Sequence, residues 1–449
     1  MLTGRAELLS AHVPRYTSYP TAPHFHTGID ADRYKAWLEE LTDTQNLSLY
    51  VHIPFCDTLC WFCGCHTRVV HNYAPIASYL EILFREIDAV ASLLPGSRHV
   101  CHIHWGGGSP TLLAPDDIEK LADRLSSRFS FESEAEFAVE IDPRGLSDDS
   151  ITALTAAGVN RASLGVQDCD ETVQRAINRW QPFDVTRSAA ERLRSAGIKS
   201  LNVDIMYGLP HQTVRHVERT IETVLTLKPD RVAVFGYAHV PDFKRHQRLI
   251  PEAALPDLDE RLRQYDAAQI LLTGSGYIAI GLDHFALATD RLVAASAQGT
   301  LRRNFQGYTT DTAEALIGLG ASSIGSLPQG YVQNWRDIPT YRKVVTSGAL
   351  PIARGVALSD EDRIRRTVIQ RLMCDLRVDL GAISTKFDFP PDRFAPELAS
   401  LQPLAKQCVV EISGNSLRVN PDARAAVRLV CAAFDEYLST NNAMHAIAV

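Results

Sequence analysis

The sequence predicts an α/β fold: a partial or complete (β/α) barrel, followed by a small, mainly helical C-terminal domain that contains a β-hairpin. Between residues 47 and 285, short β-rich runs alternate with helical patterns. The segments between the runs are long enough for crossover helices, which implies parallel strands with right-handed connections. Near Pro351 a different unit begins.

Seven runs carry the β-strand signal: LSLYVHIP, VCHIHWGG, AEFAVEID, ASLGVQ, LNVDIMYG, RVAVFGYA and YIAIGL. The predicted crossover helices cover residues 75–94, 115–128, 184–196, 213–227 and 257–273. Active sites of such barrels gather at the carboxyl ends of the strands. The polar and Gly-rich residues that follow each run are therefore candidate site residues.

The pattern loosens beyond residue 286, where the Gly- and Ser-rich stretch LRRNFQGYTTDTAEALIGLGASSIGS is more typical of a site-lining segment than of a core element. The boundaries follow from these changes of pattern. We predict an N-terminal segment covering the site (1–46), the barrel (47–285), a site-lining extension (286–350) and the C-terminal helical domain (351–449).

Within the C-terminal domain, Ser359 is a plausible N-cap for a helix on which apolar residues recur at every fourth position. These residues are Ile364, Val368, Leu372 and Leu376. The string CVVEISGNSLRVN predicts a hairpin that turns at Gly414–Asn415, and a helix follows over residues 421–437.

Composition excludes several classes of protein. The 449 residues are 45% hydrophobic, which is enough for a substantial core. Lys and Arg total 45 against 53 for Asp and Glu, and no basic run could track phosphates, so nucleic acid is not expected as a partner. No stretch approaches the ~20 apolar residues that span a bilayer, and the N-terminus lacks a signal-peptide pattern. We expect a cytoplasmic monomer without membrane contacts.

Four of the nine cysteines lie within ten residues, in CDTLCWFCGC directly after the first strand. Thiolates at Cys56, Cys60, Cys63 and Cys65 could bind an iron–sulfur cluster, but four thiolates, or three with His66, also satisfy tetrahedral zinc. The spacing C-x3-C-x2-C differs from zinc ribbons and from four-cysteine ferredoxin runs, and an aromatic residue, Phe62, precedes the third cysteine. Both details favour a cluster with one open iron.

The pattern C-x3-C-x-aromatic-C after a β-strand resembles the radical S-adenosylmethionine (SAM) superfamily, and the fuller string YVHIPFC…FCGC resembles its oxygen-independent coproporphyrinogen III oxidases. The resemblance extends along nearly the whole chain, in order. It includes PRYTSYPTA (14–22), HWGGGSPT (104–111), VEIDPR (139–144), YGLP (207–210), FGYAHVP (235–241) and RRNFQGYTT (302–310).

This resemblance implies a barrel of radical SAM type in which Cys56, Cys60 and Cys63 hold a [4Fe-4S] cluster, leaving one iron free for SAM. Cys65 then has no assigned ligand role: it is a candidate catalytic residue, or it packs as a small apolar residue. His52 is a second candidate catalytic residue, which could tune the cluster or the electron path, or it is structural. The residues implied to contact SAM, in one or both of two sites, are Tyr50, Phe62, Gly107, Gly108, Ser109, Glu140, Gln167, Arg179, Asp204, Ala238 and Ile324. Arginines and tyrosines are candidates for holding substrate carboxylates: Arg15, Tyr16, Tyr19, Arg302 and Arg303.

The resemblance further implies that reductive cleavage of SAM generates a 5′-deoxyadenosyl radical, which removes a β-hydrogen from a propionate. Loss of CO2 and one electron then leaves a vinyl group. Performed twice with two SAM molecules, the reaction converts coproporphyrinogen III to protoporphyrinogen IX. The electron that cleaves SAM would come from a low-potential donor of the flavodoxin or ferredoxin type.

Three alternatives remain at this stage. A haem chaperone of the same superfamily is disfavoured by Cys65 and by PRYTSYPTA, which those relatives generally lack. A haem-modifying radical SAM enzyme is disfavoured by RRNFQGYTT. A zinc-stabilised binding protein would lack a brown chromophore after anaerobic purification.

Overall fold

A computed structural model describes residues 10–96 and 99–438. Its strands, in chain order, are β1 Leu47–Ile53, β2 Phe55–Cys56, β3 Arg68–Val69, β4 His99–Gly107, β5 Ser130–Ile141, β6 Arg161–Gln167, β7 Ser200–Tyr207, β8 Arg231–Gly236, β9 Tyr277–Ile280, β10 His284–Leu287, β11 Arg302–Asn304, β12 Gly307–Thr309, β13 Ala315–Leu319, β14 Ile324–Leu327, β15 Gly330–Asn334, β16 Ile352–Ala357, β17 Arg377–Asp379, β18 Val410–Ser413 and β19 Ser416–Val419.

The α-helices are α1 Ala31–Glu39, α2 Ala74–Leu93, α3 Pro115–Arg128, α4 Asp148–Ala156, α5 Glu171–Ala176, α6 Phe183–Ser195, α7 Val214–Leu225, α8 Leu258–Gly274, α9 Arg291–Ala297, α10 Ile338–Thr346, α11 Asp360–Asp375, α12 Leu380–Lys386, α13 Ala395–Ser400, α14 Gln402–Lys406 and α15 Val427–Ala432. Short 3-10 helices occupy Ala22–His24, Pro110–Leu112, Pro143–Gly145, Arg245–Leu249, Glu252–Ala254 and Pro421–Ala426.

A twelve-stranded mixed sheet organises the described part of the chain, in the order β16-β15-β14-β13-β1-β4-β5-β6-β7-β8-β10-β9. The strands from β13 to β8 are parallel, and the outer pairs on both sides are antiparallel. Because the end strands β16 and β9 are not neighbours in this order, the sheet is a partial barrel. The predicted fold class is thereby confirmed.

Six of the seven predicted runs form the neighbouring parallel strands β1 and β4–β8, and helices α2, α3, α6, α7 and α8 coincide with the predicted crossovers to within two residues. The seventh run differs. Its strand β9 does not pair with β8, because the chain reverses after Gly281 (φ +53°) and β10 inserts antiparallel between them. In the sequence, a four-residue strand before a tight turn cannot be distinguished from a parallel strand that follows a crossover helix.

The Gly- and Ser-rich stretch contains a core strand, contrary to the prediction that it lies outside the core. All five residues of β13 are buried, and the strand pairs in parallel with β1. Gly318 permits this packing, because a Cβ there would lie 2.8 Å from the Ile324 backbone. The glycines that suggested a loop therefore serve close contact between strands.

The helix and hairpin predicted for the C-terminal domain are confirmed. Ser359 caps α11 in a capping box with Asp362, and β18 and β19 are joined at Gly414–Asn415. Leu376 follows the last residue of α11 in a left-handed conformation (φ +56°). The final helix is shorter than predicted, because residues 421–426 form a 3-10 helix and α15 ends at Ala432. Residues 439–449 lie outside the described part.

Strand alternation directs polar side chains to the inside of the barrel. In β1, Val51 and Ile53 are fully buried in the main hydrophobic core, while Ser48 lines the interior chamber. In β4 and β5, His102, His104, Glu136 and Glu140 face the same interior chamber. Within residues 10–96 and 99–438, no helix combines the length and apolarity needed to cross a membrane.

Candidate active site

The cysteine loop leaves the barrel at the carboxyl end of β1 and is closed at its base by pairing of β2 with β3. Arg68 N donates to Pro54 O (2.8 Å), and Val70 N donates to Cys56 O (3.0 Å). The enclosed residues form one excursion from the sheet. All four cysteines, Cys56, Cys60, Cys63 and Cys65, line a single cavity of about 270 Å³, which we call the cysteine cavity.

Neighbouring loops hold the backbone of the cysteine loop through its carbonyl groups. His246 Nε2 donates to Cys63 O (2.8 Å), and Lys244 Nζ donates to Cys65 O (2.8 Å). On the other side, Asn178 Nδ2 donates to Leu59 O (2.9 Å). These three carbonyl groups therefore have hydrogen-bond partners within the protein. The thiol side chains of the loop line the cavity.

Two arginines lie against Cys60. Arg179 Nη1 is 3.5 Å and Arg144 Nη2 is 3.6 Å from its sulfur atom. Asp142 accepts from both guanidinium groups, at 3.0 and 2.6 Å. Burial acts to raise the pKa of Asp142, but hydrogen bonding from Arg144 and the charge of Arg179 lower it to about 2. The carboxylate therefore stays ionised and fixes both arginines beside the sulfur.

The thiols differ in acidity. A hydrogen bond with Cys65 is the largest influence on Cys63 and lowers its pKa to about 7, while the same interaction raises the pKa of Cys65. Burial raises the pKa of Cys56 to about 12. Since the pKa of Cys56 lies well above neutral, binding of iron to this thiol releases a proton.

The residues present fit an iron–sulfur cluster with SAM. Three thiols and two guanidinium groups meet in one cavity, a donor set and charge suited to an anionic thiolate-ligated cluster. The Nε atom of Arg179 is buried without a hydrogen-bond partner in the described part of the chain. Among the same residues, no group of three or more His, Cys, Asp or Glu side chains is arranged to hold a single metal ion.

Strand β5, the next strand after the glycine-rich end of β4, supplies a fixed carboxylate at Glu140. Glu140 Oε2 accepts from Gly107 N (3.0 Å), and Oε1 accepts from His104 Nε2 (3.1 Å). Burial acts to raise the pKa of Glu140, but the hydrogen bond from His104 and its charge hold it below the ordinary value. Gly108 permits the approach of this turn to the loop, because a Cβ there would lie 2.3 Å from Phe55 O.

Two further strand ends complete the polar wall. Gln167 adopts a left-handed conformation (φ +70°) at a register shift in the pairing of β6 with β7, and such strain is typical of functional sites. Asp204 accepts from Ser163 Oγ (2.9 Å) and Asn202 Nδ2 (2.7 Å). Burial raises the pKa of Asp204.

Of the sixteen residues predicted to bind the cluster, to contact SAM or to take part in catalysis, the cysteine cavity brings together twelve: the four cysteines, Phe62, Gly107, Gly108, Ser109, Glu140, Gln167, Arg179 and Asp204. Tyr50 and His52 lie behind its wall, where a Cβ on Gly107 would meet the His52 ring at 2.4 Å. His52 Nε2 donates to His66 O (3.0 Å), so its Nδ1 accepts from the Tyr50 hydroxyl (3.0 Å). Burial lowers the pKa of His52, which favours this neutral tautomer.

The other predicted residues lie apart from this cavity. Ala238 lines a neighbouring small cavity, and Ile324 packs with Phe25 and Tyr331. Tyr16 donates to Asp435 (3.0 Å), and Tyr19 accepts from Glu436 N (3.2 Å). Both tyrosines therefore join the N-terminal segment to the C-terminal domain.

Sequence reasoning missed the roles of Asp142, Arg144, His104, Lys244 and His246. Asp142 and Arg144 stand two and four residues after Glu140, so their position at a strand end was the available signal. Lys244 and His246 reach the loop from about 180 residues away. No local pattern marks a contact over that separation.

The chain is similar to known proteins in sequence and in fold. The family described as the radical SAM superfamily matches residues 50–224, and the HemN C-terminal domain matches residues 358–425. An oxygen-independent coproporphyrinogen III oxidase of Bradyrhizobium diazoefficiens is 48% identical over 97% of both chains. The anaerobic coproporphyrinogen III oxidase 1 of Cereibacter sphaeroides is 43% identical over 96% of this chain and 95% of its own. The solved coproporphyrinogen III oxidase of Escherichia coli, described as a radical SAM enzyme, superposes with a TM-score of 0.90 at 39% identity, covering 95% of this chain and 100% of its own.

Proposed function

Since the chain belongs to the radical SAM superfamily and, within it, to the oxygen-independent coproporphyrinogen III oxidases, we propose that it converts coproporphyrinogen III to protoporphyrinogen IX. Each of two propionate side chains loses a β-hydrogen atom, CO2 and one electron, which passes to an external electron acceptor, and becomes a vinyl group. The convergence of three thiols and eight predicted SAM contacts on one cavity is the observation that carries this proposal.

The family uses a [4Fe-4S] cluster and SAM. Cys56, Cys60 and Cys63 would hold the cluster. When bound, the cluster and SAM together supply the one-electron chemistry that removes a hydrogen atom from the substrate. Arg144 and Arg179 offset the negative charge of the thiolates, because their guanidinium groups lie within 3.6 Å of Cys60 Sγ.

The other residues of the cavity bind and orient. Glu140 is an acceptor for the SAM ammonium group, and its second hydrogen bond, from His104, fixes the direction of its carboxylate. Asp204 and Gln167 offer partners for the ribose hydroxyls. Arg179 offers its guanidinium to the SAM carboxylate. Cys65 faces the cavity without a ligand role, and His52 positions Tyr50 and the cysteine loop.

Further parts of the proposal follow from the chemistry. Two propionates require two hydrogen abstractions, so two SAM molecules are consumed per porphyrinogen, with Ala238 and Ile324 as candidates for a second SAM site. The electron that each cleavage of SAM consumes comes from a low-potential protein of the flavodoxin or ferredoxin type. The protein acts as a monomer in the cytoplasm. It is divided into an N-terminal segment that covers the site (1–46), the barrel (47–285), a site-lining extension (286–350) and the C-terminal helical domain (351–449).

The proposed reaction is tested by anaerobic reconstitution with iron and sulfide, followed by incubation with reductant, SAM and coproporphyrinogen III. We expect protoporphyrinogen IX and two molecules of 5′-deoxyadenosine per product, quantified by chromatography. Tight haem binding without protoporphyrinogen would contradict the proposal and indicate a haem chaperone.

Replacing Glu140 with Gln is expected to raise the KM for SAM by roughly 10- to 100-fold, since a hydrogen bond to a charged group contributes about 1.5–3 kcal/mol. The measurement is the initial rate of 5′-deoxyadenosine formation against SAM concentration. Glu222→Gln, an exposed position on α7, is the matched control and should keep the wild-type KM. An unchanged KM in Glu140→Gln would remove Glu140 from the SAM site.

A further inference from the structure

Three side chains of the segment 244–247 donate hydrogen bonds to backbone carbonyl groups of the cysteine loop. The pairs are Lys244 Nζ with Cys65 O (2.8 Å), His246 Nε2 with Cys63 O (2.8 Å) and Gln247 Nε2 with Phe62 O (3.0 Å). Gln247 carries no charge, whereas Lys244 brings an ammonium group to the loop. Since amide and imidazole donors also hold this backbone, the charge of Lys244 is not required for the hold itself.

Lys244 lies outside the cysteine cavity. It is half-buried, and it is not among the residues that line the cavity. The carbonyl group that it contacts belongs to Cys65, whose backbone N donates to Cys63 Sγ (3.4 Å). Lys244 is therefore placed to act on the thiols by its charge, across the backbone of the loop, and not as a ligand.

No carboxylate in the described part of the chain is among the charges that act on Lys244. Burial lowers the pKa of Lys244, and the charged neighbours that influence it are Cys63, Cys65 and Arg336. The interaction is mutual. After the hydrogen bond with Cys65, the charge of Lys244 is among the influences that lower the pKa of Cys63.

The arginines beside Cys60 are more nearly compensated. Arg144 and Arg179 both donate to Asp142, at 2.6 and 3.0 Å. Two positive charges and one negative charge leave these three residues with a net charge of +1. Lys244 therefore contributes as much net positive charge around the thiols as both arginines contribute together with their shared carboxylate.

A positive charge beside an iron–sulfur cluster favours the reduced state, because reduction adds one negative charge to the cluster and its thiolates. Net charge, hydrogen bonds to the sulfur atoms and solvent exposure all set the potential of such a cluster. Partial burial also matters, because a half-buried charge is screened less by salt than an exposed one. A half-buried ammonium group without a carboxylate partner therefore has a stronger effect than a cation at the surface.

We propose that Lys244 raises the reduction potential of the cluster and so favours uptake of the electron that cleaves SAM. This assignment rests on the proposed function, in which Cys56, Cys60 and Cys63 hold a [4Fe-4S] cluster. It adds to that function a residue that neither binds the cluster nor lines its cavity, and that is separated from Cys65 by 179 positions in the chain.

The midpoint potential of the reconstituted cluster tests the assignment. It is measured by anaerobic redox titration without SAM, from the electron paramagnetic resonance signal of the reduced state. Lys244→Gln removes the charge but keeps a hydrogen-bond donor, whereas Lys244→Met removes both. Each should lower the equilibrium constant for reduction about tenfold, which is about 59 mV for a one-electron couple. Lys244→Arg keeps the charge and should retain the wild-type potential.

Arg245→Gln is the matched control, because it removes a positive charge from the next residue, which is exposed and does not line the cysteine cavity. Its equilibrium constant for reduction should stay within about twofold of the wild-type value. A wild-type potential in Lys244→Gln and Lys244→Met would overturn the assignment. An equal shift in Lys244→Arg would also overturn it, because the geometry of the contact and not its charge would then set the potential.

The iron and sulfide content of every protein is determined before the titration. A wild-type protein that holds no cluster would contradict the proposed function itself, whereas a full cluster whose potential does not respond to Lys244 would contradict this assignment alone. Loss of the cluster from both uncharged variants would likewise overturn the assignment, because Lys244 would then be needed for assembly of the cluster.

Discussion

Replacing Cys63 with Ser should abolish both cluster assembly and 5′-deoxyadenosine formation, the largest effect expected from any single substitution in this chain. Cys63 has a pKa of about 7, below that of an ordinary thiol, and it lines the same cavity as Cys56 and Cys60. A serine hydroxyl is a far weaker ligand for iron than a thiolate. Two remaining thiolates would leave the cluster incompletely held.

The measurement combines iron and sulfide content after anaerobic reconstitution with chromatography of the SAM cleavage products. Cys408→Ser, at an exposed cysteine of the C-terminal domain, is the matched control and should retain the full cluster. Cys65→Ser should also retain it, because Cys65 is not a predicted ligand. Loss of iron from Cys65→Ser, or an intact cluster in Cys63→Ser, would show that the ligand set is misassigned.

Replacing Glu86 with Ala should lower the free energy of unfolding by about 3–5 kcal/mol, the largest stability effect that we expect. The carboxylate of Glu86 is buried in α2 and accepts from three groups: Tyr341 Oη (2.5 Å), Asn334 Nδ2 (2.5 Å) and Gly320 N (2.7 Å). The substitution leaves these buried donors without their acceptor and opens a cavity. Chemical denaturation of the purified protein measures the change, and Glu119→Ala, at an exposed position of α3, should stay within about 0.5 kcal/mol of the wild type.

Glu86 also makes stability depend on pH. Burial raises its pKa from the ordinary 4.5 to about 7, although its three hydrogen bonds act in the opposite direction. Between these values the folded protein holds a proton that the unfolded chain has released, so stability falls as pH rises from 4.5 to 7, by up to about 1.4 kcal/mol per pH unit. Glu86→Gln should flatten this slope. An unchanged slope would mean that Glu86 is ionised in the folded protein throughout this range.

The buried hydrogen bonds around Glu86 continue to the candidate site through Tyr79, which lies on the same helix. The Tyr79 hydroxyl accepts from Ala321 N (2.9 Å) and donates to His52 O (2.8 Å), at the end of β1 where the cysteine loop begins. The loop after β13 therefore donates hydrogen bonds to Glu86 and Tyr79 of α2, and Tyr79 in turn donates to the end of β1. Its sequence contains no charged residue that would have revealed this attachment.

Properties carried by neighbouring residues could be derived from the amino-acid sequence alone. The spacing of Cys56, Cys60 and Cys63, the alternation of strands and helices from residue 47 and the cap at Ser359 are all local. They sufficed to predict the partial barrel and a cysteine loop at the edge of the sheet where successive strands end. The residues that contact SAM were implied by the resemblance to a known family.

The tertiary structure alone decided the features that depend on contacts between distant residues. Three such features are the insertion of β10 beside β8, the buried strand β13 and the approach of Arg144 and Arg179 to Cys60. Tyr16 donates to Asp435 across a separation of 419 residues in the chain. Such contacts are set by the packing of whole elements, whose energies depend on three-dimensional proximity, so they leave no periodicity or spacing in the chain from which they could be inferred.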